Sequence, residues 1–397
     1  MIALAAVGPW LGLGRDERSI FYLWLGLTRS DLAATGGIIF VLGLYATAVA
    51  FSRRPSILIY NTIVSLLLLE FGARAIDGQP IFALRNWVAE RNPQFTTKSM
   101  HDYDPALGWV PKSNMSVSPN QVSSLTTTQH GIRLNQPDAS GLPAGAILAV
   151  GDSYTFGTGV GDRHSWPAHL ERMLRHPVVN AGVDGFGTDQ IVLRAESLLP
   201  ALKPAALVVS FFSHDFERAG MAVFSGASKP YFTMEGGSLV LHNVPVPPYT
   251  GRLSETPLWL VLPSYSYFLR FATDRLGWGD WQQIVMRTSV WAANDPTAVS
   301  CALLRRLQTE LAASGTKLLL VLQYPPMREQ RPPKVIVVAG CAREIGIDLL
   351  DLWEDLLRQR DRSPEQYARL WVSSDDGHMS SQGNRFVAER IAAGLTK

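Results

Sequence analysis

A chain of 397 residues is longer than one ordinary domain and leaves room for a sizeable core plus an appendage. Its net charge of +2 comes from 36 basic and 34 acidic residues spread among one another, so there is no basic footprint and nucleic acid is excluded as a partner. The two cysteines, Cys301 and Cys341, lack CxxC spacing and have no histidine cluster beside them. That sets aside a zinc or redox motif and leaves either a disulfide in an oxidising compartment or two buried thiols.

Apolar residues are concentrated at the start of the chain. Residues 33–51 carry no charge over about nineteen positions, near the length a helix needs to cross a bilayer core. After a short break at Arg53 and Arg54, residues 57–76 are apolar up to Glu70 and Arg74, which stand four apart and can pair. The expectation is a transmembrane helical hairpin inside an N-terminal membrane region, 1–78. The positive-inside rule puts the Arg53–Arg54 loop in the cytoplasm and the rest of the chain on the extracytoplasmic, periplasmic face of a bacterial inner membrane.

A lead-in segment, 79–145, precedes a domain expected over 146–397. Five short apolar runs read as strands: 146–150, 178–181, 206–212, 317–323 and 347–350. Between them, 166–175, 189–199, 298–314 and 335–345 repeat apolar side chains three or four apart, as helices do. Strand alternating with helix predicts a three-layer α/β/α, doubly wound parallel sheet of the flavodoxin-like kind. Residues 219–296 interrupt the alternation with aromatic and proline-rich sequence and an amphipathic helical stretch, which reads as an insertion forming a wall over the site or a packing element.

Ligands of such sheets bind at the carboxyl ends of the strands. Directly after the first strand comes Gly151-Asp152-Ser153, where a serine at a strand-to-helix turn can present its hydroxyl at the sheet edge and the Asp-Ser pair is also an ordinary helix cap. After the second comes Asn180-Ala181-Gly182, whose glycine can bring a backbone N–H to a developing oxyanion or can simply make a turn. His214, after the third, can donate to an oxyanion, cap the next helix or satisfy a buried carbonyl. Near the end, Asp375-Asp376-Gly377-His378 precedes a last amphipathic helix and offers a general base with an orienting carboxylate. In a doubly wound sheet these groups converge on one edge.

Those motifs resemble the SGNH hydrolases, or GDSL esterases, and in particular a bacterial membrane-anchored branch, over about 104–395. The resemblance implies an SGNH-type fold with Ser153 as nucleophile and one oxyanion donor, Gly182 as a second donor, and His378 as base, oriented by Asp375 in an Asp-x-x-His pattern or by Asp376. Asp104-Pro-Ala-Leu-Gly-Trp109 and His130-Gly-Ile-Arg133 are similar to that branch's lead-in, and 380–389 to its closing helix. Where the family carries Gly-x-Asn-Asp this chain reads Ser213-His214-Asp215, so a histidine stands in place of an oxyanion-binding asparagine, a loss worth roughly a hundred- to a thousandfold in rate if uncompensated.

The function so implied is a serine esterase or acylhydrolase working through an acyl-enzyme on ester-linked groups, O-acetyl or longer, of cell-envelope carbohydrate or lipid. It requires no cofactor and no metal. Two other readings use the same residues: an O-acyltransferase, and a non-catalytic binding or assembly module on the SGNH fold.

Overall fold

The computed structural model describes residues 55–76, 100–120, 123–136, 142–247, 265–269, 289–292, 295–326, 330–373 and 377–396, with 43, 45 and 272 singly. The chain divides into two compact units. One comprises 1–92 with 252–286, and the other 93–251 with 287–397.

In the first unit the principal described element is helix α1, Pro55–Ile76. Glu70 and Arg74 pair across one turn at 2.7 Å, as their spacing predicts. The same carboxylate accepts from the hydroxyl of Ser266 at 2.8 Å and from the N–H groups of Tyr267 at 3.0 Å and Phe268 at 3.1 Å, while the Arg74 guanidinium lies over the Tyr267 ring. The expected transmembrane hairpin over 33–51 and 57–76 finds support in neither half. The first stretch lies outside the described residues apart from Gly43 and Tyr45, and among the described residues no helix is long and apolar enough to cross a membrane. Asn61, Thr62 and Ser65 break the apolar run of α1, and its last turns hold an ion pair tied to the 265–268 segment.

The second unit opens with two antiparallel hairpins, β1 (His101–Asp104) with β2 (Gly108–Pro111), and β3 (Ser116–Asn120) with β4 (Ser123–Thr126). Then follow β5 (Ile147–Val150), the short α2 (Ser153–Phe156), α3 (Trp166–Leu174), β6 (Val178–Asn180), α4 (Thr188–Leu202), β7 (Ala206–Phe212) and the short α5 (Asp215–Arg218). Small antiparallel strands come next: β8 (Met221–Phe224), β9 (Ala227–Ser228), β10 (Tyr231–Glu235), β11 (Ser238–His242) and β12 (Ser289–Trp291). The chain closes with α6 (Pro296–Ser314), β13 (Lys317–Gln323), α7 (Pro333–Ile345), β14 (Asp348–Asp351), α8 (Trp353–Arg362), α9 (Pro364–Ala368) and α10 (Ser381–Leu395).

Five of these strands form one parallel sheet in the order β14-β13-β7-β5-β6. Numbered along the chain that is 2-1-3-4-5, the flavodoxin-like order, so the doubly wound sheet expected from the alternation is the one formed. The central strands β7 and β13 are nearly continuous runs of Val, Leu and Phe because both of their faces are covered. Helix α3 packs with α10, while α6 packs with both α4 and α7, which is the two-faced arrangement that right-handed crossovers impose. A disulfide joins Cys301 of α6 to Cys341 of α7, settling the choice the sequence left open.

The insertion expected over 219–296 divides. Its two ends make the β12-β8-β9 sheet and the β10–β11 hairpin within the second unit, whereas 252–286 between them groups with the N-terminal unit. A fully buried ion pair, Lys229 with Asp189 at the start of α4, ties the small strands to the main layer, and Lys229 also donates to the carbonyls of Met221 at 3.1 Å and Pro230 at 2.9 Å.

Candidate active site

In a 2-1-3-4-5 sheet the chain switches direction between β5 and β7, and a crevice opens at their carboxyl ends. Ser153 stands directly after β5 as the first residue of α2 and is nearly buried. Asp152 is the N-cap of α2, its carboxylate accepting from the N–H of Tyr154 at 2.9 Å. The cap reading of the Asp-Ser pair is the one seen, and the cap residue orients the short helix that carries the serine.

His378 comes from the other end of the chain. Its Nε2 lies 3.0 Å from Ser153 Oγ, a hydrogen bond between residues 225 positions apart. The Tyr154 hydroxyl donates to the carbonyl of Gly377, and the Tyr154 ring stacks on Phe212 at 4.2 Å and faces the His378 ring at 5.6 Å. Asp375 and Asp376, expected to orient the imidazole, lie outside the described residues.

Gly182 has a different immediate partner from the one its motif suggests. A Cβ there would meet the backbone N of Phe156 at 2.3 Å, so only glycine lets the loop after β6 lie against α2. Its N–H donates to Asn180 Oδ1 at 3.2 Å, and Asn180 Nδ2 in turn approaches the Phe156 carbonyl at 3.3 Å. Asn180 thus fixes the loop and the nucleophile helix to each other.

His214 immediately precedes α5 and makes no side-chain cap bond, so its side chain does not serve as the helix cap. Its ring meets Phe212 edge-on at 5.0 Å while part of the side chain stays exposed. Partial burial, with a contribution from the Arg218 charge, holds its pKa below the usual histidine value against the opposite pull of Glu217 and Asp152. The ring is then neutral near neutral pH and able to donate through one nitrogen.

Three groups around Ser153 were not singled out by sequence. Arg133, from the lead-in, is buried and donates to the carbonyls of Phe156 at 2.6 Å, Gly157 at 2.7 Å and Val160 at 2.6 Å, closing the C-terminal end of α2, where Gly157 takes a left-handed conformation with φ 88°. Trp109, also from the lead-in, donates its indole N–H to the Asp184 carbonyl at 2.9 Å and packs against Phe186. Arg218, on α5, reaches Asp152 at 3.1 Å and Asp215 at 2.7 Å. The His130-Gly-Ile-Arg133 and Asp104-to-Trp109 motifs were the available signals for the first two, but their roles depend on partners far along the chain.

No protein-family profile matches the chain. No curated protein matches it either. Among solved structures, a member of the lipolytic protein G-D-S-L family from Veillonella parvula is similar at 12% identity over 64% of this chain and 98% of its own, with a TM-score of 0.36. A lipase/acylhydrolase from Enterococcus faecalis is 15% identical over 63% of this chain and 95% of its own, with a TM-score of 0.35. An acetylxylan esterase from Geobacillus stearothermophilus is 14% identical over 65% of this chain and 97% of its own, with a TM-score of 0.37.

Proposed function

We propose that this chain is a serine esterase or acylhydrolase of the SGNH/GDSL type, and the observation that carries the reading is the 3.0 Å contact between Ser153 Oγ and His378 Nε2. A serine hydroxyl is a poor nucleophile until an adjacent base takes its proton. His378 takes that proton as Oγ attacks an ester carbonyl. The tetrahedral oxyanion is received by the Ser153 N–H, which as the first residue of α2 has no intrahelical acceptor, by the Gly182 N–H turned from Asn180, and by the neutral His214 ring. Collapse expels the alcohol with the proton from His378, and water, activated by the same imidazole, frees the acid from the acyl-enzyme. Asp375 or Asp376 is the proposed orienting carboxylate.

For the substrate we take an ester-bearing glycan or lipid of the cell envelope, with the hydrolase unit extracytoplasmic on a membrane-associated N-terminal region. The Cys301–Cys341 disulfide supports an oxidising compartment. Exposed Ile59, Tyr60, Ile63 and Leu66 on α1 support apposition to an apolar phase. Transfer of the acyl group to a sugar hydroxyl uses the same acyl-enzyme and differs only in the acceptor.

A fluorophosphonate probe tests the catalytic core. The wild type is expected to label and Ser153→Ala not to; an unlabelled wild type that folds points instead to a binding module. Acetate release from an acetylated glycan, followed with and without added acceptor sugar, separates hydrolysis from transfer.

A further inference from the structure

Two carboxyl groups stand beside the nucleophile, and hydrolysis as proposed above has no use for a second negative charge there. Ser153 Oγ is 3.4 Å from Asp152 Oδ2, and Asp152 and Asp215 share one partner, Arg218 Nη1. Both aspartates are buried, at 1% and 0% exposure, which leaves no water to screen them. As Ser153 gives up its proton and an oxyanion forms, an uncancelled carboxylate at such a distance opposes the charge that the step creates.

One cation answers both. Arg218 Nη1 lies 3.1 Å from Asp152 Oδ2 and 2.7 Å from Asp215 Oδ1, and it also donates to the Phe186 carbonyl at 3.2 Å. The remaining carboxyl oxygens are held by backbone, Asp152 Oδ1 by the Tyr154 N–H and Asp215 Oδ2 by the Phe212 N–H at 2.8 Å. The cluster therefore ties the ends of β5 and β7, the two strands that flank the crevice, to a single guanidinium.

We propose that Arg218 is a positioning residue for the nucleophile, its charge being what allows Asp152 and Asp215 to sit beside Ser153 without suppressing oxyanion formation. The inference rests on the serine-hydrolase reading. It adds a requirement that the Ser153–His378 contact does not contain.

The protonation pattern agrees with the geometry. Burial first, and then the Asp152 charge, pushes Asp215 well above the usual carboxylate range despite Arg218. Burial works against the Arg218 charge as well, but Asp215 and Asp152 outweigh it and its pKa is raised. Among the described residues, Asp184 from the loop after β6, Lys229 beyond β9 and His214 on its own segment interact with members of the trio, and Glu217 faces His214. His378 faces the trio through Ser153 and the Tyr154 phenol, and Asp375 and Asp376 precede it on its own loop.

The test is the rate of Ser153 labelling by a fluorophosphonate, measured against pH with the full chain. Arg218→Met is expected to slow labelling roughly ten- to a hundredfold and to move the acidic limb upward, because the uncancelled carboxylate stabilises the His378 imidazolium. Arg218→Lys keeps the charge and is expected to stay within about threefold of wild type with the limb unmoved. Asp215→Asn removes one of the two carboxylate charges that Arg218 faces and is expected to label at least as fast as wild type at neutral pH. Equal slowing by Met and Lys, or loss of labelling in a folded Asp215→Asn, overturns the proposal. If Arg218→Met does not fold, the Lys and Asn variants decide. A wild type that labels no faster than Ser153→Ala sinks the hydrolase reading itself and this inference with it, whereas failure of the Arg218 series in an enzyme that labels at Ser153 sinks only the inference.

Discussion

The hydroxyl of Tyr154, the residue after the candidate nucleophile, donates to the carbonyl of Gly377, the residue before the candidate base. One side chain thus holds the two loops that must meet, and its ring is in turn fixed by the stack on Phe212. Tyr154→Phe keeps the stack and removes the donor. Because a single hydrogen bond is worth about 0.5–1.5 kcal/mol, kcat on a p-nitrophenyl ester is expected to fall by roughly three- to tenfold with KM nearly unchanged. A kcat equal to that of wild type shows that the His378 loop does not need this tether.

Much of the frame is legible in the sequence because period and length decide it. The runs 206–212 and 317–323 are strands over those same residues, and 298–314 lies inside α6. Ser153 and His378 are legible as motif residues, and the strand order brings them together. Arg133, Arg218 and Tyr154 are not, because each acts through backbone or carboxyl groups supplied by other elements, which no local pattern encodes. Apolar length, read as two membrane crossings, weighs charge-free run over polar interruption, and in the described half of that reading Asn61, Thr62 and the Glu70–Arg74 pair interrupt the apolar run of α1. The strands β8 to β12 read only as an insertion, since short edge pairings leave weak alternation. The charged α8, with three acidic and three basic residues among its ten, shows too little apolar periodicity to be read as a helix.

Arg133 joins the lead-in to the nucleophile helix, and its loss is expected to cost stability and activity together. Besides its three carbonyl partners it faces the fully buried Asp162 at 3.5 Å, and that carboxylate also accepts from the Thr126 N–H at 3.0 Å. Arg133→Met leaves Asp162 buried without its counter-charge, at a cost of about 3–5 kcal/mol. Denaturant melts measure the loss. If the variant is destabilised while folded protein labels Ser153 at the wild-type rate, Arg133 holds the fold but does not set the position of α2.

The Lys229–Asp189 pair offers the same arithmetic away from the nucleophile. Burial pushes Asp189 up and Lys229 down, and the charge of each opposes that push on the other. Lys229→Met is therefore expected to lose about 3–5 kcal/mol, whereas Lys229→Met combined with Asp189→Leu, which removes both charges, recovers much of it. A double variant no more stable than the single one means that the carbonyl bonds of Lys229, not its charge, hold the small strands to α4.

His169 on α3 gives the fold a dependence on pH whose sign can be worked out. Burial first, and then the positive charges of Arg172, His164 and Arg385, lowers its pKa from 6.5 to about 4. Arg172 Nη2 donates to His169 Nδ1 at 2.9 Å, a bond that requires that nitrogen to be unprotonated. Between the two values the unfolded chain binds a proton that the folded chain refuses, so stability rises with pH there. Read downward, stability is lost as pH falls from 6.5 toward 4, and this contribution is flat below and above. His169→Gln removes the titration and keeps a polar side chain of similar reach. Urea midpoints at about pH 7 and about pH 5 are expected to differ more for the wild type than for the variant, and equal differences for the two proteins would show that His169 is as easily protonated folded as unfolded.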